Sequence, residues 1–362
     1  MGILRTILAL AVVVYHSFTI FGLRLCGGQI AVESFFIISG FYMAFVLNEK
    51  YVGVGSYRTF LWSRFYRIFP VYWIVLVAAL LVSLIGYYGF HHAYYLSRFF
   101  ENKQCLSFTT MGYFLLENIF IIGQDALYFL RLDTDCHPKL MYYVLSYKHV
   151  GYQYLLVPQA WSISLELLFY SIAPFIVRKK IGWQLAVIIL SLGAKILYAT
   201  QFNLSLDPWT YRFFPFELGF FMLGSIAYQV YSYFKNKLIS PHIGYALLAL
   251  CIIGICGIDE VAMNANIKNS LFYSLIVVSI PFIFLAFKNS STDRYIGELS
   301  FSLYISHHLI VSLFRGFFYS HAEWMIYYGY TVVIASLLVA IVFQKLIIKP
   351  LEVIRMKRIL ST

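Results

Sequence analysis

Charged side chains are scarce in this sequence. Asp, Glu, Lys and Arg together make up 12% of the 362 residues, whereas 61% of the residues are hydrophobic. Soluble globular proteins carry about 25% charged residues, and these cover the surface that faces water. A surface that faces lipid needs no such cover. The composition therefore argues against an ordinary soluble enzyme and indicates an integral membrane protein.

Cysteine is also rare, and its spacing predicts no metal site. The five cysteines include no CxxC pair and no Cys/His ligand spacing, so we expect no metal. Cys105 and Cys136 lie in the same long segment between apolar runs. An oxidising compartment would permit a disulfide between them, and two unpaired thiols are the alternative.

Acidic residues are fewer than basic ones, which gives a net charge of +11. A nucleic-acid-binding protein gathers its basic residues on one polar face. Here they form short clusters between apolar runs, as in the cytoplasmic loops of membrane proteins. We therefore expect membrane lipids, and not nucleic acid, around this chain.

Long apolar runs are abundant and predict the fold class. A helix that crosses a bilayer needs about 17–25 such residues. Ten candidate spans follow, at 3–22, 30–48, 69–88, 160–177, 183–200, 214–234, 243–258, 270–287, 298–317 and 325–348. We expect an all-α polytopic membrane protein with about ten transmembrane helices, forming a single domain over 1–362 without a fused soluble domain.

The basic residues predict how these spans are oriented. Lys and Arg accumulate in short cytoplasmic loops, and well over half of them fall on that side if the N-terminus is cytoplasmic. This holds only if 89–159 makes no net crossing, although it contains an apolar piece at 112–130. Glu117 and Asp125 in that piece suit an interfacial or re-entrant segment. We predict two cytoplasmic termini and one large external segment at about 89–159.

The first run carries Arg5 near its start and His16 eleven residues later. Eleven steps of about 100° return to nearly the same helix face, about 16 Å higher. We therefore expect Arg5 at the cytoplasmic mouth and His16 near the middle of the membrane, on one stripe. Ionisable residues at such depth face a polar interior, so His16 belongs either to a structural hydrogen bond between helices or to an active site.

The second run places Glu33 just inside its outer end and Gly40 in its middle. A glycine there lets a neighbouring helix approach closely, and this packing role explains Gly40. A carboxylate at the depth of Glu33 needs either a partner within the protein or access to the outer surface.

Arg64 and Arg67 lie three residues apart, just before Pro70, and share one helix face. They are either ordinary positive anchors on the cytoplasmic side or a clamp for phosphate groups, which guanidinium donors bind in bidentate fashion. The spacing by itself does not separate the two interpretations.

Two later runs carry polar residues at interior depth. Trp161 and Glu166 begin one of them, and Tyr304 and His307 share a face of another. Several spans that each carry a His, Arg or Glu predict a shared polar cavity, which suits either an enzyme or a transporter.

These segments, taken in order, resemble the acyltransferase-3 family of integral membrane O-acyltransferases. The resemblance extends from Arg5 to about Glu352. Its carriers are Arg5 and His16 with ten residues between them, the stretch from Val32 to Phe41, RFYRIFP at 64–70, WSISLELLFY at 161–170, FELGFFMLG at 216–224 and LYISH at 303–307. The sequence departs from the family at MGILRT, which lacks the usual acidic residue and glycines around the arginine, and His308 is not part of the pattern.

The resemblance implies transfer of an acetyl group from cytoplasmic acetyl-CoA to a hydroxyl of a surface polysaccharide or lipid-linked glycan, in the inner membrane of a bacterium. It implies His16 as general base, or alternatively as a covalent acetyl carrier. The other implied catalytic residues are Arg5, Glu166 and His307; Arg5, Arg64 and Arg67 would bind CoA, and Glu33, Tyr304 and Trp161 would contact the acceptor.

The rival hypothesis is a proton-coupled transporter or flippase for a glycan or acyl substrate, which would use the same buried residues as a relay. It predicts paired helices interrupted by Gly or Pro in two corresponding halves, and no convincing pair is present. The acceptor sugar, the length of the acyl group and the oligomeric state stay open.

Overall fold

The fold is a bundle of α-helices with one small sheet. A computed structural model describes residues 1–143, 147, 149–202 and 204–352. In this part the helices are α1 (Gly2–His16), α2 (Gly27–Glu49), α3 (Ser56–Phe90), α4 (Ser97–Glu101), α5 (Phe108–Phe120), α6 (Trp161–Ile176), α7 (Ile181–Gln201), α8 (Phe214–Phe234), α9 (Pro241–Gly257), α10 (Ala265–Phe287), α11 (Ser291–Ser320) and α12 (Met325–Phe343). Strands β1 (Leu130–Leu132) and β2 (Pro138–Leu140) pair antiparallel.

The helices agree with the membrane class that the composition predicts. Six helical segments of the described chain are long and apolar enough to cross a bilayer: Gly27–Glu49, Ser56–Phe90, Ile181–Gln201, Pro241–Glu260, Ala265–Phe287 and Ala322–Glu352. Each of the ten predicted spans falls on one helix, α1–α3 or α6–α12. The predicted single domain also includes 353–362, which lie outside the described residues.

Helix α1 ends earlier than predicted. The apolar run suggested a span of 3–22, but the helix stops at His16. The connection to α2 takes positive φ angles at Phe21, Gly22, Leu25 and Gly27, a conformation that a continuing right-handed helix excludes. The 15 residues of α1 extend about 22 Å, less than the roughly 30 Å of a hydrocarbon core. His16 is therefore the last residue of a short helix.

Helix α3 begins earlier than predicted and contains Pro70 in its interior. The predicted span of 69–88 treated Pro70 as a boundary, but the helix starts at Ser56, directly after Gly55 with φ +78°. Proline supplies no backbone N–H, yet helices packed in membranes accommodate it. Arg64 and Arg67 consequently lie within a continuous helix, as their shared face requires.

Helix α2 packs against α8 at very close range. A Cβ atom on Gly40 would lie 1.8 Å from the backbone oxygen of Phe221, and one on Gly224 would lie 1.9 Å from that of Ile37. Only glycine fits at such crossings, which supports the packing role predicted for Gly40.

The connections between helices lie at two opposite ends of the bundle, where polar contacts hold them. At one end the amino group of Met1 pairs with Asp293 at 2.7 Å, and Lys235 pairs with Glu49 at 2.9 Å. Arg178 donates to the backbone oxygen of Leu47 at 2.6 Å. We call this the basic end, because the helix ends and connections there carry many basic residues: Lys50, Arg58, Arg178, Lys179, Lys180, Lys235, Lys237, Lys288, Arg294 and Lys349. The opposite end is the cavity end.

The long segment between α3 and α6 lies at the cavity end, and 144–146 and 148 within it are outside the described residues. Helix α5 has 13 residues, about 20 Å, and its chain turns back after Phe120. At this turn Ser164 of α6 donates to Asp125 at 2.6 Å. A disulfide joins Cys105 to Cys136, which answers the question that the cysteine spacing left open.

Candidate active site

A cavity of about 450 Å³ opens at the cavity end of the bundle. The end of α1 and the starts of α2 and α6 form part of its wall, and α11 contributes another part. The remaining wall consists of Tyr128 and of segments around 94–98, 152–159 and 207–212. Tyr and Trp side chains dominate the lining: Tyr15, Tyr94, Tyr95, Tyr128, Tyr152, Trp161, Tyr211 and Tyr304.

His16 lines this cavity and is exposed to it. Its ring centroid lies 5.3 Å from that of His307 and 5.6 Å from that of His308. The last turn of α1 and the middle of α11 thus bring three imidazoles together. Of these, His16 and His308 reach the cavity surface, whereas His307 is fully buried behind them.

The hydrogen bond of His307 fixes which nitrogen carries its proton. Its Nδ1 lies 2.5 Å from the backbone oxygen of Tyr304. A carbonyl oxygen only accepts, so Nδ1 is the protonated nitrogen in this arrangement. Nε2 is then a lone-pair acceptor, and it has no hydrogen-bond partner among the described residues. His307 therefore offers an unused acceptor next to His16.

Tyr95 holds His308 in place. Its hydroxyl lies 3.0 Å from Nδ1 of His308 and 2.7 Å from the hydroxyl of Ser312, and it donates to the backbone oxygen of His308 at 2.9 Å. The segment between α3 and α6 thereby docks onto α11 beside the three imidazoles.

Tyr304 and Trp161, both predicted to contact substrate, line the cavity. The Tyr304 hydroxyl lies 2.6 Å from that of Ser162 and donates to the backbone oxygen of Gln159 at 3.1 Å. The side chain of Gln159 in turn donates to the backbone oxygen of Ile305 at 2.5 Å. These bonds join α11 to the start of α6 and to the turn just before it, and they hold this part of the cavity wall in one arrangement.

Arg212 also lines the cavity and is held in a box of aromatic rings. Its guanidinium carbon lies 3.7 Å from the ring centre of Tyr128, 4.3 Å from that of Trp161 and 4.6 Å from that of Tyr211, which favours a cation. Its Nε donates to Asp207 at 2.6 Å. Burial opposes the charge, but Tyr211, Tyr128 and Asp207 raise the pKa of Arg212 above its ordinary value, so it stays charged.

The three predicted CoA-binding arginines lie near one another toward the basic end. Arg67 is close enough for its charge to act on both Arg5 and Arg64. The guanidinium of Arg5 lies 5.7 Å from the ring centre of Tyr42, and that of Arg64 lies 5.4 Å from that of Phe60. Three cations gathered in this way form a basic cluster, defined here as Arg5, Arg64 and Arg67, that suits a polyanionic ligand.

Glu166 lies between the basic cluster and the cavity wall. Its charge acts on Arg5 on one side and on Tyr304 on the other. The described cavity lining does not include Glu166, and the catalytic role implied for it stays a prediction.

Glu33 also lies apart from the described cavity lining, in a buried ionic cluster. Lys195 of α7 donates to Glu33 at 2.8 Å and to Glu217 of α8 at 2.9 Å, and the Tyr273 hydroxyl of α10 donates to Glu33. Of the two alternatives left open for Glu33, the structure shows a partner within the protein. These contacts give no support to a direct contact between Glu33 and an acceptor in the cavity.

Sequence reasoning missed three ionisable residues that the fold places at interior sites. His308 was set aside because it lies outside the family pattern. Arg212 sits in a connection between apolar runs, where nothing in the local pattern marks it. Lys195 gave a usable signal, because it is a lone cation inside the predicted span 183–200, and such residues mark polar interiors.

The described residues contain no group of three or more His, Cys, Asp or Glu side chains that could hold a metal ion. What the arrangement can do is proton transfer. An exposed imidazole stands in a cavity lined largely by aromatic side chains, beside a buried acceptor nitrogen, while a separate cluster of three cations suits a phosphorylated ligand.

Comparison with known proteins supplies the chemical class. A family model described as an acyltransferase domain matches residues 1–345. No curated protein and no solved structure matches the chain. The matched range contains the cavity, the basic cluster and the ionic cluster.

Proposed function

This chain belongs to the acyltransferase-3 family, and on that premise we propose that it moves an acetyl group from cytoplasmic acetyl-CoA to a hydroxyl of a surface polysaccharide or lipid-linked glycan. The observation that carries the proposal is the position of His16, an imidazole exposed in a cavity that reaches one end of a membrane bundle. We place the protein in the cytoplasmic membrane of a bacterium, as a multi-pass acyltransferase.

The proposed orientation has the basic end in the cytoplasm and the cavity end outside. The collection of Lys and Arg at the basic end supports it, because such residues are retained on the cytoplasmic side. Helices α1–α3 and α6–α12 would then make ten crossings and return the end of α12 to the cytoplasm. The irregular backbone after His16 would face the water of the cavity and not lipid, as unpaired backbone groups require.

His16 acts in the proposed reaction as a general base. One of its ring nitrogens accepts the proton of the acceptor hydroxyl, while the hydroxyl oxygen attacks the carbonyl carbon of the thioester. The carbon–sulfur bond breaks, and the CoA sulfur takes the proton from His16, which returns to its neutral form. His307 is a positioning residue. Rotation of the exposed His16 ring would let the N–H on the second ring nitrogen of His16 donate to Nε2 of His307, which has no other partner among the described residues.

The donor is proposed to approach from the basic end. The phosphates of CoA cannot enter lipid, so they stay with the basic cluster, where guanidinium groups bind phosphate oxygens. Arg5 and His16 are eleven residues apart on α1, or about 16 Å along the helix. The extended pantetheine arm of acetyl-CoA is the part that would bridge this separation past Glu166 and Tyr304.

Replacing Arg67 with alanine should raise the KM for acetyl-CoA about tenfold with little change in kcat, because a charge-assisted contact to phosphate is worth about 1.5–3 kcal/mol before solvent screening. Acetyl-pantetheine, which lacks the nucleotide phosphates, should be used equally well by the variant and the parent protein. Steady-state kinetics with both donors gives the comparison. We expect the same direction of change for Arg64→Ala.

Arg58→Ala is the matched control, because Arg58 is an exposed cation on the same helix outside the basic cluster. It should leave both donors unaffected. An unchanged KM for acetyl-CoA in Arg67→Ala and Arg64→Ala would contradict phosphate binding and leave these arginines as positive anchors on the cytoplasmic side.

Acetyl transfer itself is tested with the purified protein in proteoliposomes. Acetyl-CoA is added on the side of the basic end and candidate glycans on the side of the cavity end. We expect release of the CoA thiol that depends on the glycan, with a matching gain of one acetyl group in the glycan by mass spectrometry. Glycan movement without thiol release would indicate a flippase and contradict the proposal.

A further inference from the structure

The Arg212 guanidinium is an incompletely used cation in the wall of the cavity. It is 7% exposed, and two of its three nitrogens have partners, since Nε donates to Asp207 and Nη2 donates to the Tyr211 hydroxyl at 2.8 Å. Nη1 is buried and has no hydrogen-bond partner among the described residues. A buried charged donor without an acceptor is costly, and a hydrogen bond to a bound ligand would remove this cost.

The surroundings of Arg212 keep its guanidinium in one orientation. The rings of Tyr128, Trp161 and Tyr211 all lie within 5 Å of its central carbon, and the bond to Asp207 holds the other edge of the plane. A donor that is fixed before the ligand arrives loses little entropy on binding. Arg212 is therefore held in one orientation at the wall of the cavity, with Nη1 unpartnered.

The two cations of the described cavity lining each have a carboxylate partner, so the lining has no excess of positive charge. Arg98 pairs with Glu101 at 2.7 Å, and Arg212 pairs with Asp207 at 2.6 Å. What distinguishes Arg212 is its unpartnered Nη1, a charged donor that binds an anionic acceptor more strongly than a neutral one.

The rest of the lining suits a sugar ring. The many Tyr and Trp side chains present flat apolar faces together with polar edges, and these match the C–H faces and hydroxyl groups of a saccharide. Arg212 and His16 line the same cavity, so a ligand bound there can engage the two residues through different groups.

We propose that the acceptor bound in this cavity is an anionic saccharide whose carboxylate or phosphate accepts hydrogen bonds from Nη1 of Arg212, while one of its hydroxyl groups faces His16. This inference rests on the proposed function for the ligand's role as acceptor, but not for its binding. Arg212 determines specificity and takes no part in the transfer of the acyl group.

Binding to the detergent-solubilised full chain tests the inference without turnover. The probes are methyl glucuronoside and methyl galacturonoside, their neutral carboxamides, and the corresponding hexose 1-phosphates paired with neutral methyl hexosides. We expect the Kd of at least one anionic probe to be about 10- to 100-fold lower than that of its neutral counterpart, the range for charge-assisted hydrogen bonds. The carboxylate and phosphate series distinguish the two sources of negative charge.

Arg212→Gln should abolish this preference by weakening the anionic probe alone, and Arg212→Lys should keep part of it. Lys139→Gln is the matched control, because Lys139 is an exposed cation in the segment between α3 and α6 and pairs with Asp133 outside the cavity. It should retain the full preference. If Arg212→Gln does not fold, the comparison of probes with the parent protein still decides the matter.

Equal binding of every anionic probe and its neutral counterpart to the parent protein would overturn the inference. So would an Arg212→Gln variant that keeps the preference but loses kcat with all acceptors, since Arg212 would then act on the reacting acyl group. Selective binding without acetyl transfer would instead refute the proposed function and leave the anionic site intact. Transfer to neutral and anionic acceptors alike would support the proposed function and refute the anionic site.

Discussion

His16→Ala is expected to lower the kcat of acetyl transfer by about 10²- to 10⁴-fold, the usual contribution of a positioned general base. The chain should remain folded, because the His16 ring stands in an open cavity and its removal creates no closed void. Acetyl-CoA should bind as before, since the basic cluster is about 16 Å away along α1. The loss therefore belongs to the chemical step.

The measurement is steady-state transfer in proteoliposomes, with thermal unfolding of the same preparation as a check on folding. His242→Ala serves as the control, because His242 is exposed at the start of α9 near the basic end. It should keep the activity of the parent protein. A well-folded His16→Ala protein with a kcat within threefold of the parent value would remove His16 from catalysis and with it the proposed mechanism.

The positioning role proposed for His307 predicts a second result in the same assay. If its Nε2 orients His16, then His16 is the residue that contacts the reacting hydroxyl, and His307 acts only through it. Loss of His307 should therefore reduce kcat less than loss of His16, because an unoriented base still reaches the correct geometry part of the time. The two losses should not add in the double variant, since they act as one unit.

Lys195→Met is expected to cost about 3–5 kcal/mol of unfolding free energy, the cost of removing one partner from a buried ion pair. The change leaves Glu33 and Glu217 facing each other without a cation, and these two residues are 1% and 0% exposed. Two buried carboxylates repel each other and have lost their solvation. The four helices α2, α7, α8 and α10 meet at this cluster, so the loss should be felt across the bundle.

Unfolding in mixed detergent micelles measures this effect, and two further variants interpret it. Lys237→Met removes an exposed lysine at the end of α8 and should change the unfolding free energy by less than about 1 kcal/mol. Combining Lys195→Met with Glu33→Gln and Glu217→Gln removes the unbalanced charges and should recover most of the stability. A single Lys195→Met variant as stable as Lys237→Met would show that the cluster contributes nothing to the fold.

The role of Glu33 in the ionic cluster could not be predicted from the family pattern. Glu33 and the FELGFFMLG stretch are recognisable in the sequence, and a substrate contact was the natural role to give to a buried carboxylate. Both carboxylates instead pair with the same lysine, Lys195, inside the protein. Which role such a residue has depends on the helix that packs against it, and Lys195 is 162 residues further along the chain than Glu33.

Some parts of the site follow from helical geometry alone. Arg5 and His16 lie on one helix because the apolar run continues between them, and Arg64 and Arg67 share a face because they are three residues apart. The end of α1 did not follow, because the apolar run continues past His16 and gives no local sign of the turn at Phe21 and Gly22. His16 is open to the cavity because α1 ends at this residue.

The sequence by itself determined the class of protein and the location of its helices, because scarce charge and long apolar runs are properties of composition and of short segments. It also determined the family, through motifs that stay recognisable when read in order. Only the tertiary structure decided that His16 meets His307 and His308, that Arg212 enters the same cavity, and that Lys195 neutralises Glu33. These contacts join residues more than a hundred positions apart, and the packing of helices brings such residues together without leaving any periodic signal in the chain.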